Sequence, residues 1–319
     1  MSITLPSPPR EVRLAGDRPD SDVLSRIGDT PLFELKSLSA QVAPVRIFGK
    51  AEWYNPGGSV KDRPALNMIL RGIEDGVLTR EKRILDATSG NTGIAYAMVG
   101  AALGYGVTLA VPRNLGQLHR RILEAYGAEL VFTDPHKGSD GAIEKAMTMH
   151  DAEPGRWFYP NQYGNDANWQ AHYQTTAPEI FRQTEGAVTH FVAGLGTSGT
   201  FVGTGRGLRV LKPDVRLVRF EPDSPMHGLE GMKHYPTSIV PSIFDPDLAD
   251  ETRSVSTEDA QAMVRHLARH DGILIGPSAG ANLWCALQVA RELKEGVVVT
   301  ILCDSAHKYL DHEFWKEEA

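Results

Sequence analysis

From Val45 onward the chain repeats one pattern: a short apolar run, then a stretch of helical period. Arg83–Ala87, 106–111 and 128–132 are such runs, and each precedes a helical pattern. Parallel neighbours in a sheet need a connection long enough to hold a helix, so the alternation restricts the fold to α/β with mainly parallel sheets. The rhythm breaks at a polar, aromatic-rich stretch, 156–173, and restarts with runs at 189–193 and 215–220. That break marks a candidate domain boundary. A second irregular segment, 223–247, is longer than most connections in a compact domain, and loops of that length are often functional. The helical run Thr257–His270 follows, and the last strand, Val297–Leu302, ends at Cys303-Asp304-Ser305.

At 319 residues, with an apolar share of 41%, the chain can bury a large core, and two domains are expected. The net charge of −7 and the lack of a Lys/Arg cluster exclude nucleic acid as an expected partner. No apolar stretch of about 18 residues is present, so no membrane-spanning helix is expected. The proline-rich, charged start reads as a surface arm rather than a signal peptide, which makes the cytoplasm the expected compartment. Cys285 and Cys303, the only cysteines, read as small buried hydrophobes. No metal site is assigned.

Three loops could carry chemistry. Gly194-Leu-Gly196-Thr197-Ser198-Gly199-Thr200 follows an expected strand and opens a helix, which is the context the G-x-G-x-x-G pattern requires. Its glycines let the backbone approach an anion, and the helix start offers free N–H groups. The alternatives are a tight turn without ligand, and a dinucleotide site with Glu221, at the end of the next strand, as the ribose acid. The second loop, Asn55-Pro-Gly57-Gly58-Ser59-Val-Lys61-Asp-Arg63, sets Lys61 at a helix start, the unfavourable end of the dipole for a cation. Repulsion and burial there favour an amine nucleophile; a solvated surface lysine is the alternative. The third, Thr88-Ser89-Gly90-Asn91-Thr92-Gly93, gathers hydroxyls, an amide and helix-start N–H groups. It suits a carboxylate, or else is a plain helix-capping cluster. A dehydrogenase accounts for one of these loops. A cofactor with one phosphate, joined to a lysine and receiving an amino acid, accounts for all three, and pyridoxal phosphate is such a cofactor.

With these loops in hand, the chain from Ile27 to Leu310 resembles the fold-type-II pyridoxal-phosphate enzymes, in the branch of O-acetylserine sulfhydrylase and cystathionine β-synthase. Gly28-Asp-Thr-Pro-Leu32 is similar to that family's opening signature and Gly58-Ser-Val-Lys61-Asp-Arg63 to its lysine loop. The resemblance implies that Lys61 holds the cofactor as a Schiff base and that Thr88, Ser89, Gly90, Asn91 and Thr92 close on the substrate carboxylate, with Asn91 also touching the ring oxygen. It implies a phosphate cup at Gly196, Thr197, Ser198, Gly199 and Thr200. Gln162, in Asn161-Gln-Tyr-Gly-Asn165, is implied to assist carboxylate binding, and Ser278, in Gly276-Pro-Ser-Ala-Gly280, to face the pyridine nitrogen.

The implied fold is tryptophan synthase β-like: two three-layer αβα domains, the cofactor in the cleft between, in a homodimer. A small mobile domain is expected over 44–157, and a larger one over 1–43 plus 158–319. The implied reaction is β-replacement on an activated serine, O-acetylserine rather than O-phosphoserine, by sulfide or a small thiol. The rival readings are a cystathionine β-synthase-type condensation of serine with homocysteine, an O-phosphoserine-dependent cysteine synthase, a nicotinamide-dependent dehydrogenase and a silent binding protein. Two stretches depart from the family pattern. Residues 114–119 lack its usual Met-Ser and acid-Arg pair, and 228–240 stand where relatives have a shorter, glycine-rich entrance loop.

Overall fold

The computed structural model describes residues 22–88 and 90–316. In chain order the strands are β1 (Leu32–Glu34), β2 (Arg46–Ala51), β3 (Arg83–Ala87), β4 (Val107–Pro112) and β5 (Glu129–Thr133). They continue with β6 (Trp157–Phe158), β7 (His190–Gly194), β8 (Arg216–Pro222), β9 (Glu251–Val255) and β10 (Val297–Leu302). They divide between two compact units. One comprises Gly28–Tyr54 and the chain from Trp169 onward, the other Asn55–Asn168 with residues 22–27.

The unit built on Asn55–Asn168 has four parallel strands in the order β5-β4-β3-β6. Side chains alternate across a strand, and this sheet shows it. Ile84, Val107, Leu109 and Val111 pack with the helices Asp62–Glu74 and Asn91–Leu103. Leu85, Ala87 and Ala110 face Ala142 and Ala146 of the helix Gly138–Ala152. Every residue of β4 is buried, as expected of a parallel strand covered on both faces. Gly72 allows close approach: a Cβ there would stand 2.3 Å from the ring of Phe158.

The other unit has six strands in the order β1-β2-β10-β7-β8-β9, parallel except for β1. One face of this sheet, with Ile47, Val192, Val218 and Val298, packs on the helices Thr257–His270 and Pro277–Arg291. On the other, Phe191 stacks on Phe201 of the helix Gly199–Leu211, with ring centroids 6.4 Å apart. Both units are therefore three-layered. The division differs from the expected boundary at residue 44, because β2 pairs with β10 along its whole length. Nothing in the local sequence of β2 distinguishes the two sheets; register with β10 does. Cys285 is buried, and burial pushes its thiol well up. Cys303, expected buried, is partly exposed, since it lies just past the end of β10. The expected surface arm falls almost wholly outside the described residues.

Candidate active site

In the Asn55–Asn168 unit, Lys61 occupies the N-cap of the helix Asp62–Glu74. The loop before it is tied down by its own atoms. The Asn55 amide donates to the Ser59 carbonyl at 3.1 Å, and Ser59 Oγ accepts from the Lys61 backbone N–H at 3.2 Å. Asp62 accepts from the Gly57 N–H at 2.5 Å, and a Cβ at Gly57 would stand 2.6 Å from that carboxylate. Gly58 turns the chain with φ +79, the region glycine enters without a steric penalty. The lysine backbone is thus fixed between buried neighbours, Val60 and Asp62. Among the described residues its ammonium meets no ion-pair partner.

The third loop lies where β3 meets the helix Asn91–Leu103. Thr88 Oγ1 accepts from the N–H groups of Gly90 and Gly93, at 3.3 and 3.1 Å. It therefore serves as the cap that Gly90, lacking a side chain, cannot be. Thr92 donates its hydroxyl hydrogen to Gln162 Oε1 at 2.9 Å, and Gln162 Nε2 donates to the Ala87 carbonyl at 3.1 Å. Asn168 holds the Gln162 carbonyl at 2.6 Å. Gln162 and Thr92, 70 residues apart in sequence, form one buried polar group at the root of the loop. Ser89 is outside the described residues.

In the second unit the glycine loop joins β7 to the helix Gly199–Leu211. Ser198 adopts φ +66, a left-handed conformation unfavourable for a residue with a Cβ. Its Oγ is buried without a hydrogen-bond partner among the described residues. Thr197 Oγ1 accepts from the Gly199 N–H at 3.4 Å, and Thr200 meets His172 Nε2 at 3.3 Å. A Cβ at Gly196 would stand 2.1 Å from the Gly231 carbonyl. Tyr235 donates its hydroxyl hydrogen to the Gly196 carbonyl at 3.1 Å, and the Lys233 N–H reaches the Leu195 carbonyl at 2.9 Å. Residues 231–235 of the long irregular segment thus lie against the glycine loop. Glu221, the candidate ribose acid, accepts from the Tyr235 N–H at 3.1 Å and holds that turn.

Ser278 is the second residue of the helix Pro277–Arg291 and is partly exposed between the buried Pro277 and Ala279. One turn further on, buried Asn282 accepts from the Gly194 N–H at 3.0 Å and donates to the Ile301 carbonyl at 2.9 Å. It couples the glycine loop to the helix and to β10. The sequence reading passed over Asn282, Tyr235 and His172. An amide inside an otherwise apolar helix was the one available signal for Asn282. Tyr235 and His172 carried none, since their partners are brought to them by the fold.

The model of the pyridoxal-phosphate dependent enzyme family matches residues 23–304. This chain belongs to that family. It is 48% identical to the cysteine synthase of Aquifex aeolicus, over 90% of each chain. It is 40% identical to cysteine synthase B of Salmonella typhimurium, over 92% of this chain and 95% of the other. Among solved structures, the cysteine synthase (OASS) of Entamoeba histolytica superposes with a TM-score of 0.89 at 34% identity, covering 100% of this chain and 95% of that one. The fold is therefore the fold-type-II arrangement, and the dehydrogenase reading is set aside.

The residues of this pyridoxal-phosphate-dependent enzyme fit its cofactor. A phosphate ester needs donors, and the glycine loop offers the unpartnered Ser198 hydroxyl beside helix-start amides that have no acceptor within their own helix. A carbonyl group needs an amine, and Lys61 supplies one on a fixed backbone. Among the described residues, no group of three or more His, Cys, Asp or Glu side chains could hold a metal ion.

Proposed function

We infer that this enzyme catalyses β-replacement on O-acetylserine, with sulfide or a small thiol as nucleophile, yielding L-cysteine or an analogue. The observation that carries the reading is the buried, unpartnered Ser198 hydroxyl at the mouth of a helix, in a chain 48% identical to a cysteine synthase. Bound pyridoxal phosphate supplies a carbonyl carbon that links to an amine, and a conjugated ring that accepts the electrons of a substrate's Cα–H bond.

The chain's own residues do the rest. Ser198 and the amides of Gly199 and Thr200 hold the phosphate. Lys61 Nζ holds the cofactor at rest and, once displaced by the substrate amine, takes the α-proton as general base. Thr88, Ser89, Gly90, Asn91 and Thr92 receive the substrate carboxylate, oriented from below by Gln162 through its bonds to Thr92 and Ala87. Ser278 presents a neutral hydroxyl to the ring nitrogen. A hydroxyl, unlike a carboxylate, would not hold a proton on that nitrogen, which would favour loss of the β-substituent over transamination. Acetate leaves with the Cβ–O electrons, the sulfur nucleophile forms the new Cβ–S bond, and Lys61 returns the proton to Cα. The reading also takes the family's expected setting, a homodimer in the cytoplasm.

O-acetylserine is preferred over O-phosphoserine on grounds of charge. A dianionic leaving group calls for a guanidinium fork, and at the end of β8 and just past it this chain carries Glu221 and Asp223 instead. Lys233 and His234, on the segment lying against the glycine loop, are the nearby groups that could restore positive charge. The test supplies the purified holoenzyme and sulfide with each donor at equal concentration and follows cysteine together with released acetate or phosphate. Faster turnover of O-acetylserine is expected. Faster turnover of O-phosphoserine, lost in Lys233→Ala, would reverse the donor assignment, and no cysteine from either donor would sink the reading.

A further inference from the structure

Directly beneath the third loop, on β3, the chain buries a carboxyl group that the reaction above does not use. Asp86 is 0% exposed. Its Oδ1 accepts from the Ala87 N–H at 2.7 Å, while its Oδ2 is buried with no hydrogen-bond partner among the described residues. The backbone N–H of Gln162 is also directed at this carboxyl. The titratable groups that face it are phenols: Tyr96 from the helix Asn91–Leu103, and Tyr159 and Tyr163 from the segment after β6. Burial and the neighbouring Asp86 raise all three phenols, so they stay protonated. Asp140, from the helix Gly138–Ala152, adds a further negative charge beside Tyr163. Among the described residues no cation is paired with Asp86. Burial accordingly pushes the carboxyl up to about 7.

The same backbone positions carry the loop. Ala87, whose N–H bonds Asp86, offers its carbonyl to Gln162 Nε2, and Gln162 Oε1 receives the Thr92 hydroxyl. Asp86 therefore holds the backbone N–H groups of the two residues, Ala87 and Gln162, whose carbonyl and side chain carry the bond to Thr92. We propose that Asp86 is a positioning residue whose proton sets the carboxylate loop: neutral, it supports capture of the amino acid substrate, and ionised, it opposes that capture. A second negative charge in a buried setting repels the incoming carboxylate and draws the Ala87 and Gln162 N–H groups towards itself. The inference rests on the assignment of loop 88–92 to the substrate carboxylate.

The test titrates the holoenzyme with L-alanine, which has the carboxylate but no leaving group, and reads the visible spectrum from pH 6 to pH 8. Wild type is compared with Asp86→Asn at each pH, so that ionisation of the ligand's own amine cancels in the ratio of dissociation constants. If the bound carboxylate shifts the Asp86 titration by one unit, the wild-type constant should worsen relative to Asp86→Asn by about fivefold across that range. Infrared difference spectra of the holoenzyme should show a carboxylic-acid band in wild type at pH 6 that fades by pH 8 and is absent from Asp86→Asn. Should Asp86→Asn fail to fold, Tyr96→Phe serves, because loss of the phenol that lowers Asp86 should move the wild-type midpoint upward. A ratio that does not change with pH, or a band that does not titrate, overturns the proposal. The reading of the loop itself fails separately, if Gln162→Ala binds L-alanine as wild type does at pH 6.

Discussion

Ser198 combines two features that a protein without a ligand has little reason to keep. Its backbone is left-handed, at φ +66, and its hydroxyl is buried and unpartnered. The left-handed conformation costs roughly 1–2 kcal/mol for a residue with a Cβ, and an unsatisfied buried hydroxyl about 1–3 kcal/mol more. Both costs are consistent with a loop shaped for an anion. Ser198→Gly relieves the backbone and removes the hydroxyl, so the cofactor-free protein should unfold at higher urea concentration. Its affinity for pyridoxal phosphate should fall by about tenfold or more, the loss expected for a hydrogen bond to a charged group of about 1.5–3 kcal/mol. Lys61→Ala should behave differently, losing the borohydride-reducible link while still binding the phosphate. Fluorescence titration of the cofactor-free variants, with mass measurement after borohydride, separates the two. An unchanged affinity in Ser198→Gly would remove that residue from the phosphate site.

At the level of elements, helix starts and small residues bring the loops into place. The helix Thr257–His270 has an ordinary cap: Ser256 accepts from the Asp259 N–H at 3.0 Å. The N-cap residue of the helix Gly199–Leu211, Ser198, makes no side-chain cap bond, and among the described residues the Gly199 N–H meets only Thr197 Oγ1 at 3.4 Å. The helix is seated by Gly203, where a Cβ would stand 2.0 Å from the Trp169 carbonyl. Gly203→Ala should therefore displace the helix start. Overpacking of this kind costs about 1–3 kcal/mol and should weaken cofactor binding with it. Ser256→Ala should cost about 1 kcal/mol through its cap alone and leave cofactor binding intact. Urea midpoints paired with cofactor titration decide the matter. Weakened binding in both variants would mean that global stability, rather than the position of this helix, controls the phosphate site.

For the molecule as a whole, the buried carboxyl at Asp86 links stability to pH. Its ordinary value is 3.8 and burial raises it to about 7, so between these values the folded state holds a proton that the unfolded state has released. The contribution is fully present below the lower value and is lost as pH rises through the upper one. Stability of wild type relative to Asp86→Asn should therefore fall from pH 4 to pH 7 and level off above it. Urea unfolding of both proteins at fixed temperature checks the sign, and a difference that is flat or rises with pH would show that the carboxyl is ionised in the fold.

The sequence by itself determined the fold class, because strand-to-helix periodicity and crossover length are local properties. β3 and β10 and the helix Thr257–His270 follow the expected ranges residue for residue. It also singled out three loops as candidates for chemistry, because glycine, hydroxyl and lysine at a strand-to-helix junction have few other uses. Tertiary structure decided which sheet β2 joins, since that depends on register with β10, 251 residues away from Arg46 at Val297. It decided, too, that Glu221 holds the Tyr235 turn, that Gln162 is bonded to Thr92, and that Asn282 braces Gly194. Those hydrogen bonds join residues far apart in sequence, and a buried polar group is recognised only when its partners have been folded against it.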